Sequence, residues 1–454
     1  MRFLLTLWVV GYLCSFGSAF AGESLGRKYS SPVRIEESHL AGAHADAVRY
    51  NSSRRSIGKM YERHTALRLK DFRAIFHAHA GDSAHTGGTP EELLEAAHKT
   101  GLQVVFLSDH FRPPKDFMEG WRGMKNGVLF IPGSESNGFL VHPDASVFDA
   151  MRGPKEELIA AVNAGTGMLF LSHVEEKVDW DLDGVTGMEI YNRHFDAMDD
   201  EEILMFLVMA MTRAGEAERL EGLRAKYPDE LFAAQHDYPH VYMEKWDAET
   251  LTRRVAGVGA NDCHHNNVLI LKMKDADTAI VGTNIDDDDE MRELPVKSFP
   301  GLKEIMAGHG AGDILARLDL DPYPIAIGNV STHILGTKLN EAAIRESVAE
   351  GHAYVSHDWM CDPRGFLAWL ESVDGETVAI LGDEVEFEKG YVLKAAFPVE
   401  CQVRVLRNGE VVEEATTADF EYTVTEKGVY RVEGWLSVDD EDRSWIYANP
   451  IYIR

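Results

Sequence analysis

Cysteine is scarce in this chain of 454 residues: four occur, and one of them, Cys14, sits inside an apolar N-terminal run. The other three, Cys263, Cys361 and Cys401, are too few for a disulfide framework, although one Cys361–Cys401 bridge is open in an oxidising compartment. Basic residues are also short, 45 against 75 acidic, giving a net charge of −30. Such a surface repels nucleic acid, whose binding draws on many lysine and arginine contacts to phosphate. A small anionic substrate stays open, because salt screens charge beyond ~8–10 Å and a bound cation governs its own surroundings. The acidic run Asp286 to Glu290 lacks the spaced ligands and glycine of a calcium loop and reads as a solvated loop.

After the first twenty-one residues no apolar stretch is long enough to span a bilayer. Those residues, "MRFLLTLWVVGYLCSFGSAFA", read as a secretory signal: Arg2, an apolar run, then Ala19-Phe20-Ala21 as the small-x-small cleavage pattern. The chain is expected to be exported, periplasmic or secreted, with an uncleaved N-terminal anchor as the alternative. Cleavage leaves 44 basic and 75 acidic residues, a net charge near −31.

Residues 22–70 are polar and uneven and read as an arm or linker. From 71 the texture becomes strand–loop–helix, with short apolar runs such as "RAIFHAH", "LQVVFLSDH", "VLFIPGSE", "GMLFLSH" and "VAGVGANDCHH". One helix is well marked: Thr89 as N-cap, Pro90 first, Glu92 closing a capping box and Gly101 at the C-terminal end. Strands alternating with helices predict an α/β barrel over 71–360. From 361 apolar and polar residues alternate, and turn signals such as Asn408-Gly409 recur, predicting a small antiparallel β-sandwich over 361–454. Residues 180–255 exceed one strand–helix–strand unit and are expected to form a lid, with a core-facing helix over 199–211. Asn51-Ser-Ser and Asn329-Val-Ser match glycosylation acceptors.

Histidine and carboxylate fall at the ends of those apolar strands. His77-x-His79 and Asp262-x-His264 place two groups on one strand face, and His85, His110, Glu135, His142 and His173 follow other strands or adjoining loops. In a parallel barrel such ends converge on one rim, where barrel active sites lie. Imidazole and carboxylate suit Zn, Mn or Fe, and the missing thiolates argue against a purely structural zinc site. Cys263, between Asp262 and His264, should face away and pack. His98, His194, His265, His333 and His357 are read as structural or surface residues.

At these positions the sequence resembles the polymerase and histidinol phosphatase (PHP) family. The match comprises His77-Ala78-His79, His85, "SDH" ending at His110, "GSE" ending at Glu135, His142, "SH" ending at His173, and Asp262-Cys263-His264. The resemblance implies a distorted (β/α)7 barrel, a two- or three-metal centre and a small-molecule substrate. It gives His77, His79, Glu135 and Asp262 to one metal pair, His110, His142, His173 and His264 to its completion, and His85 to a third ion. It also makes Asp262 both ligand and proton acceptor. The tail is similar to the small β-domain of secreted and carbamate-hydrolysing relatives. Arg112 and Arg193 are the nearest candidate cations for a phosphoryl group. A metal-dependent phosphoesterase is therefore expected, with a carbamate or carboxyl-ester hydrolase and a non-catalytic binding protein as alternatives.

Overall fold

A computed structural model describes residues 27–55, 69–81, 85–198 and 201–454. The signal segment lies outside the described residues, as do 22–26 and 56–68 of the arm. The chain is a mixed α/β protein with twelve α-helices among the described residues. None of them is long and apolar enough to cross a membrane.

The first nine strands are β1 (Lys70–Ala78), β2 (Val104–Leu107), β3 (Gly123–Lys125), β4 (Val128–Ile131), β5 (Ser134–Ser136), β6 (Phe139–His142), β7 (Met168–Leu171), β8 (Gly187–Asn192) and β9 (Ala256–Cys263). β1 runs parallel to β2 on one side and to β9 on the other, and β2 is parallel to β4. The Glu135 amide donates to the Ser108 carbonyl at 2.8 Å, carrying the β2 ladder past β4 onto β5. β5–β6 and β6–β7 are antiparallel, and β7–β8–β9 parallel, so the pairings return to β1 and close. Phe76 and Phe106 stack inside with centroids 3.9 Å apart, and Phe170 meets Phe76 edge-on.

The helix Pro90–Thr100 forms as its sequence dictates. Thr89 accepts from the Glu92 amide and Glu92 accepts from the Thr89 amide, while Gly101 takes φ 72°, which the absence of Cβ makes cheap. Its Leu93, Ala96 and Ala97 pack on Ile75, Val105 and Phe130. Removing Leu93 from that interior would cost about 2–5 kcal/mol.

Four strands absent from the sequence reading, β10 (Val268–Asp275), β11 (Thr278–Gly282), β12 (Arg292–Pro295) and β13 (Ile314–Asp319), form a separate antiparallel sheet. The region expected to be a lid is anchored by this sheet. Helix Glu201–Met211 sends Met211 against Leu271 and Leu294 of β10 and β12, and Leu207 against Leu220, Leu318 and Leu40. Helix His240–Thr250 buries Tyr242, Met243 and Trp246 against Met188 and Ile190 of β8.

β14 (Ser331–Gly336) and β15 (Ala353–Ser356) precede β16 (Leu367–Glu371), β17 (Thr377–Ile380) and β18 (Glu384–Val385). Four longer strands follow, β19 (Val392–Arg407), β20 (Glu410–Thr423), β21 (Gly428–Val438) and β22 (Glu441–Ala448), then β23 (Ile451–Ile453). These C-terminal strands pair antiparallel except for β18–β23. They do not form a detached layer: β1 pairs with β14, β14 with β15 and β15 with β22, one continuous ladder. Asn408 and Gly409 turn β19 into β20 with φ 56° and 84°, a two-residue turn with both φ positive. Cys361 and Cys401 are buried free thiols, so no bridge joins them. Asn329 is fully buried and accepts from Arg193, which closes its acceptor motif to glycosylation.

The arm is a docked element. Helix Glu37–Ser53 lies against the β21–β22 hairpin, whose turn residues Asp439 and Asp440 both have positive φ. His39 Nδ1 donates to Asp439 at 2.7 Å, the Asp439 amide donates to Asp46 at 2.9 Å, and Tyr50 donates to the Ser437 carbonyl. Gly42 permits this approach, since a Cβ there would stand 2.2 Å from Asp439 Oδ1.

Where β1 meets β14, His333 is buried between two carboxylates. Its Nδ1 lies 2.7 Å from Asp71 and its Nε2 3.2 Å from Asp358, which also pairs with Arg73 at 2.6 Å. Burial opposes the imidazolium, but Asp71 and Asp358 raise the pKa to about 9. A group raised in the fold stabilises fully below its unfolded value near 6.5, and that contribution is lost as pH climbs through 9. That contribution is on the order of 3 kcal/mol. Denaturant midpoints should therefore fall between pH 6.5 and 9 in the wild type, with the His333-dependent part of that fall missing in His333→Gln; identical profiles would refute the charged assignment.

Candidate metal centre

Three groups of donor atoms, His77–His79–Glu135, His77–His173–Asp262 and His79–Asp262–His264, each lie within 4.8 Å of one another. His77 and His79, at the end of β1, are fully buried and form the floor. His110 and His173, on the segments after β2 and β7, are 33% and 23% exposed at the side chain and form the rim. Two carboxylates stand between them. Glu135 Oε2 is 3.3 Å from His77 Nε2 and 3.2 Å from His110 Nε2, and its Oε1 is 3.3 Å from His173 Nε2. Asp262 Oδ1 is 3.3 Å from His77 Nε2, 3.5 Å from His79 Nε2 and 3.4 Å from His264 Nδ1.

Local backbone aims these groups. His77, His173 and Asp262 all have positive φ, 58°, 47° and 47°, and register shifts interrupt β1 against both β2 and β9 at the His77 position. A bulge re-aims a side chain out of simple alternation, at a strain of about 1–3 kcal/mol per residue. Simple two-residue periodicity therefore does not describe the His77–His79 pair, although both rings reach the same centre. Tyr323 donates to the His79 carbonyl at 2.6 Å and Asp109 accepts from the Ala80 amide at 2.8 Å, fixing the end of β1.

His77 of the floor and His173 of the rim are oriented from behind. His77 Nδ1 lies 2.7 Å from Glu189 Oε1; a carboxylate only accepts, so Nδ1 carries the proton and Nε2 faces the centre. Glu189 is fully buried and also accepts from the His173 amide at 2.8 Å. His173 Nδ1 donates to Glu175 at 3.0 Å, and Tyr242 donates to the same carboxylate.

The electrostatics ask for a cation. Burial opposes charge on both kinds of group, yet the carboxylates lift His77 to about 10 and His173 to about 12. Despite burial, Glu135 and Asp262 are held well below the usual carboxylate range, with His77 the largest opposing influence on each. His77 Nε2, both nitrogens of His79 and Asp262 Oδ1 are buried without a hydrogen-bond partner. Two donors each about 2.1 Å from a zinc-sized ion at a tetrahedral angle stand about 3.4 Å apart, and the 3.2 to 3.8 Å separations here span that value. The donor set fits divalent ions.

Of the residues expected from the sequence, His77, His79, His110, Glu135, His173, Asp262 and His264 meet at this centre. His85 stands beside it, its ring 5.4 Å from that of His110. Cys263 packs away among Ile75, Ala78 and Leu93. Two expectations are corrected. His142 lies elsewhere because β6 is antiparallel: it pairs with Met168, the first residue of β7, while Phe139 pairs with Leu171 next to the Ser172-His173 rim. It is enclosed by Phe76, Phe106 and Phe170, and burial pushes it down to about 3. Arg193 is buried, held by both oxygens of Asp321 at 3.0 and 2.7 Å and stacked on Phe232, so its guanidinium is not presented to a substrate. Arg112 is exposed on the segment after His110.

Two groups escaped the sequence reading. His194, just past the end of β8, has its ring 6.1 Å from His264, and Asp262 acts on its charge. Glu189 lies within "GMEIYN", where a lone acid in an apolar strand was itself the available signal.

No family model matches the chain, and no curated protein matches it. Among solved structures it is similar to a two-domain protein containing a predicted PHP-like metal-dependent phosphoesterase from Bacteroides vulgatus. The identity is 11%, the TM-score 0.35, and the alignment covers 84% of this chain and 96% of that one. The likeness is remote, and the functional reading rests on the geometry of the cluster.

Outer partners of metal-bound histidines are worth 10–100-fold in affinity. Glu189→Gln should accordingly weaken divalent-ion binding about 10- to 100-fold by competition with a chelating dye, leaving the thermal midpoint of chelator-treated protein within a few degrees. Unchanged affinity would show that Glu189 does not orient His77.

Proposed function

We propose that the protein is a metal-dependent hydrolase of small phosphate esters, with its centre on the rim of a distorted (β/α)7 barrel of PHP type over 71–360 and the strands of 361–454 as an appended β-domain. The observation that carries this reading is the pair of carboxylates, Glu135 and Asp262, shared among the imidazoles of His77, His79, His110 and His173 at ligand spacing, with His264 beside Asp262. Export to the periplasm or exterior is part of the proposal, as is occupancy by two or three ions of the Zn, Mn or Fe class.

Divalent ions bound here would lower the pKa of a water and neutralise charge growing on the phosphoryl oxygens. The chain's own residues supply the rest. Glu135 offers oxygens on both sides, Oε2 toward His77 and His110 and Oε1 toward His173, so it bridges the two halves of the cluster. Asp262, ionised and buried, presents Oδ1 to the same centre and accepts the proton of the attacking water. Glu189 and Glu175 keep His77 and His173 in the tautomer that leaves Nε2 inward. His194 takes the place in the set that His142 leaves, and His85 flanks His110. Arg112 is the cation assigned to the substrate's non-bridging oxygens.

Hydrolysis of aryl phosphates, bis-aryl phosphates and aryl carbamates by the metal-loaded protein tests this reading. Phosphate-ester turnover should fall at least ~100-fold in His77→Ala and Asp262→Ala, with bound metal reduced in parallel. Turnover confined to the carbamates would overturn phosphoester specificity, and full activity in both variants would overturn the site.

A further inference from the structure

A second polar cavity, of about 20 Å³, opens where the N-terminal segment, the chain after helix Pro228–Ala233, the segment after β15 and the β21–β22 hairpin meet. None of its lining residues belongs to the histidine–carboxylate cluster. Its walls are unusually rich in unused donors. Arg34, His236, His357 and Trp359 are at most 6% exposed. Arg34 Nε, Arg443 Nε, Trp359 Nε1 and both ring nitrogens of His236 and His357 are buried without a hydrogen-bond partner. Native proteins leave few such atoms, and each one calls for a water, an ion or a ligand.

The acids already present do not meet this demand. Asp237 pairs with Arg27 and Arg34. Glu441 pairs with Arg34 at 3.3 Å and Arg443 at 2.8 Å and also accepts from the amides of Lys28 and Tyr29. Three guanidinium groups thus line the chamber with three carboxylates, two of them engaged and the third, Asp442, exposed at the mouth. Burial and the neighbouring arginines hold Arg34 down at about 9, and burial, followed by His357 and the arginines, holds His236 well below its ordinary value. The charges on the walls balance and the two imidazoles are neutral, but unpartnered donors outnumber unpartnered acceptors, and what complements them is a strong hydrogen-bond acceptor such as the oxygen of an oxyanion. The volume admits a group of one or two water-sized atoms, so the body of any longer molecule would leave through the mouth beside the exposed Arg27 and Asp442.

We propose that this cavity takes one or two oxygens of a small oxyanion, a carboxylate or phosphate whose remaining atoms lie in the mouth, through Trp359 Nε1, the Nε atoms of Arg34 and Arg443, and the His236 and His357 rings. The site is independent of the metal centre and of the reaction assigned to it.

Calorimetric titration of the full-length, metal-loaded protein with formate, acetate, inorganic phosphate and chloride tests the assignment. At least one oxyanion should bind wild type and His79→Ala with equal affinity, and Trp359→Phe should weaken it at least tenfold. Thermal-shift titration of wild type with chelator present gives the same comparison without relying on His79→Ala. If Trp359→Phe does not fold, His357→Gln serves in its place, with the same expected loss. Binding that disappears with the metals and survives Trp359→Phe would place the anion at the metal centre and overturn the proposal. Absence of oxyanion binding at tens of millimolar, or chloride binding as tightly as every oxyanion, would overturn it as well.

Discussion

Two ionised carboxylates, Asp262 buried and Glu135 largely so, stand within reach of the same imidazole nitrogens and set the terms for everything around them. Taking Glu135 and Asp262 out of water is costly unless positive charge meets them at close range. His77 and His173 answer by becoming strong bases, and a divalent ion answers better, because it supplies more charge at a shorter distance and leaves the rings neutral. Behind the donors the same logic repeats at lower charge density. Glu189 and Glu175 each hold one ring by its outer nitrogen, and Glu189 also receives the backbone amide of His173, so one buried acid fixes two members of the set. Net charge over the whole chain is irrelevant at this scale, since the local field is set by groups 3 to 4 Å apart.

The scaffold accepts distortion to deliver that geometry. His77, His173 and Asp262 occupy the left-handed region although none is glycine, and the neighbouring chain braces them: Tyr323 on the His79 carbonyl and Asn261 on the Ala326 and Val330 carbonyls. Rigid support of this kind is what lets strained donors persist.

Much of this was legible beforehand because some signals are local. The Thr89–Glu92 box, the glycine at 101 and the Asn408-Gly409 turn depend on a few adjacent residues, and all three formed as read. The pairing of strand ends with polar groups was also visible, since seven of the donors needed only the correct rim. His142 failed because strand direction is not written in the strand: "GFLVH" is apolar whichever way it runs, and its antiparallel pairing sent the ring away from the rim. Arg193 failed because its partner Asp321 lies 128 residues on. The Asp439-Asp440 turn carries no glycine or asparagine, and its positive φ values are secured by a helix nearly 400 residues earlier, which no window could reveal. Helix Glu37–Ser53 was itself hidden because it buries little more than Leu40, Ala47 and Tyr50.

That helix has a temporal consequence. Its landing place is the β21–β22 hairpin, nearly 400 residues further along the chain, so the helix must wait for an element made long after it. Until then Gly42 and His39 have nothing to dock on, and the ladder from β1 through β14 and β15 to β22 is likewise incomplete. Closure across this contact is thus deferred until residue 439 has been made, and a chain truncated before it would retain every donor of the metal cluster yet lack the clasp between helix Glu37–Ser53 and the hairpin.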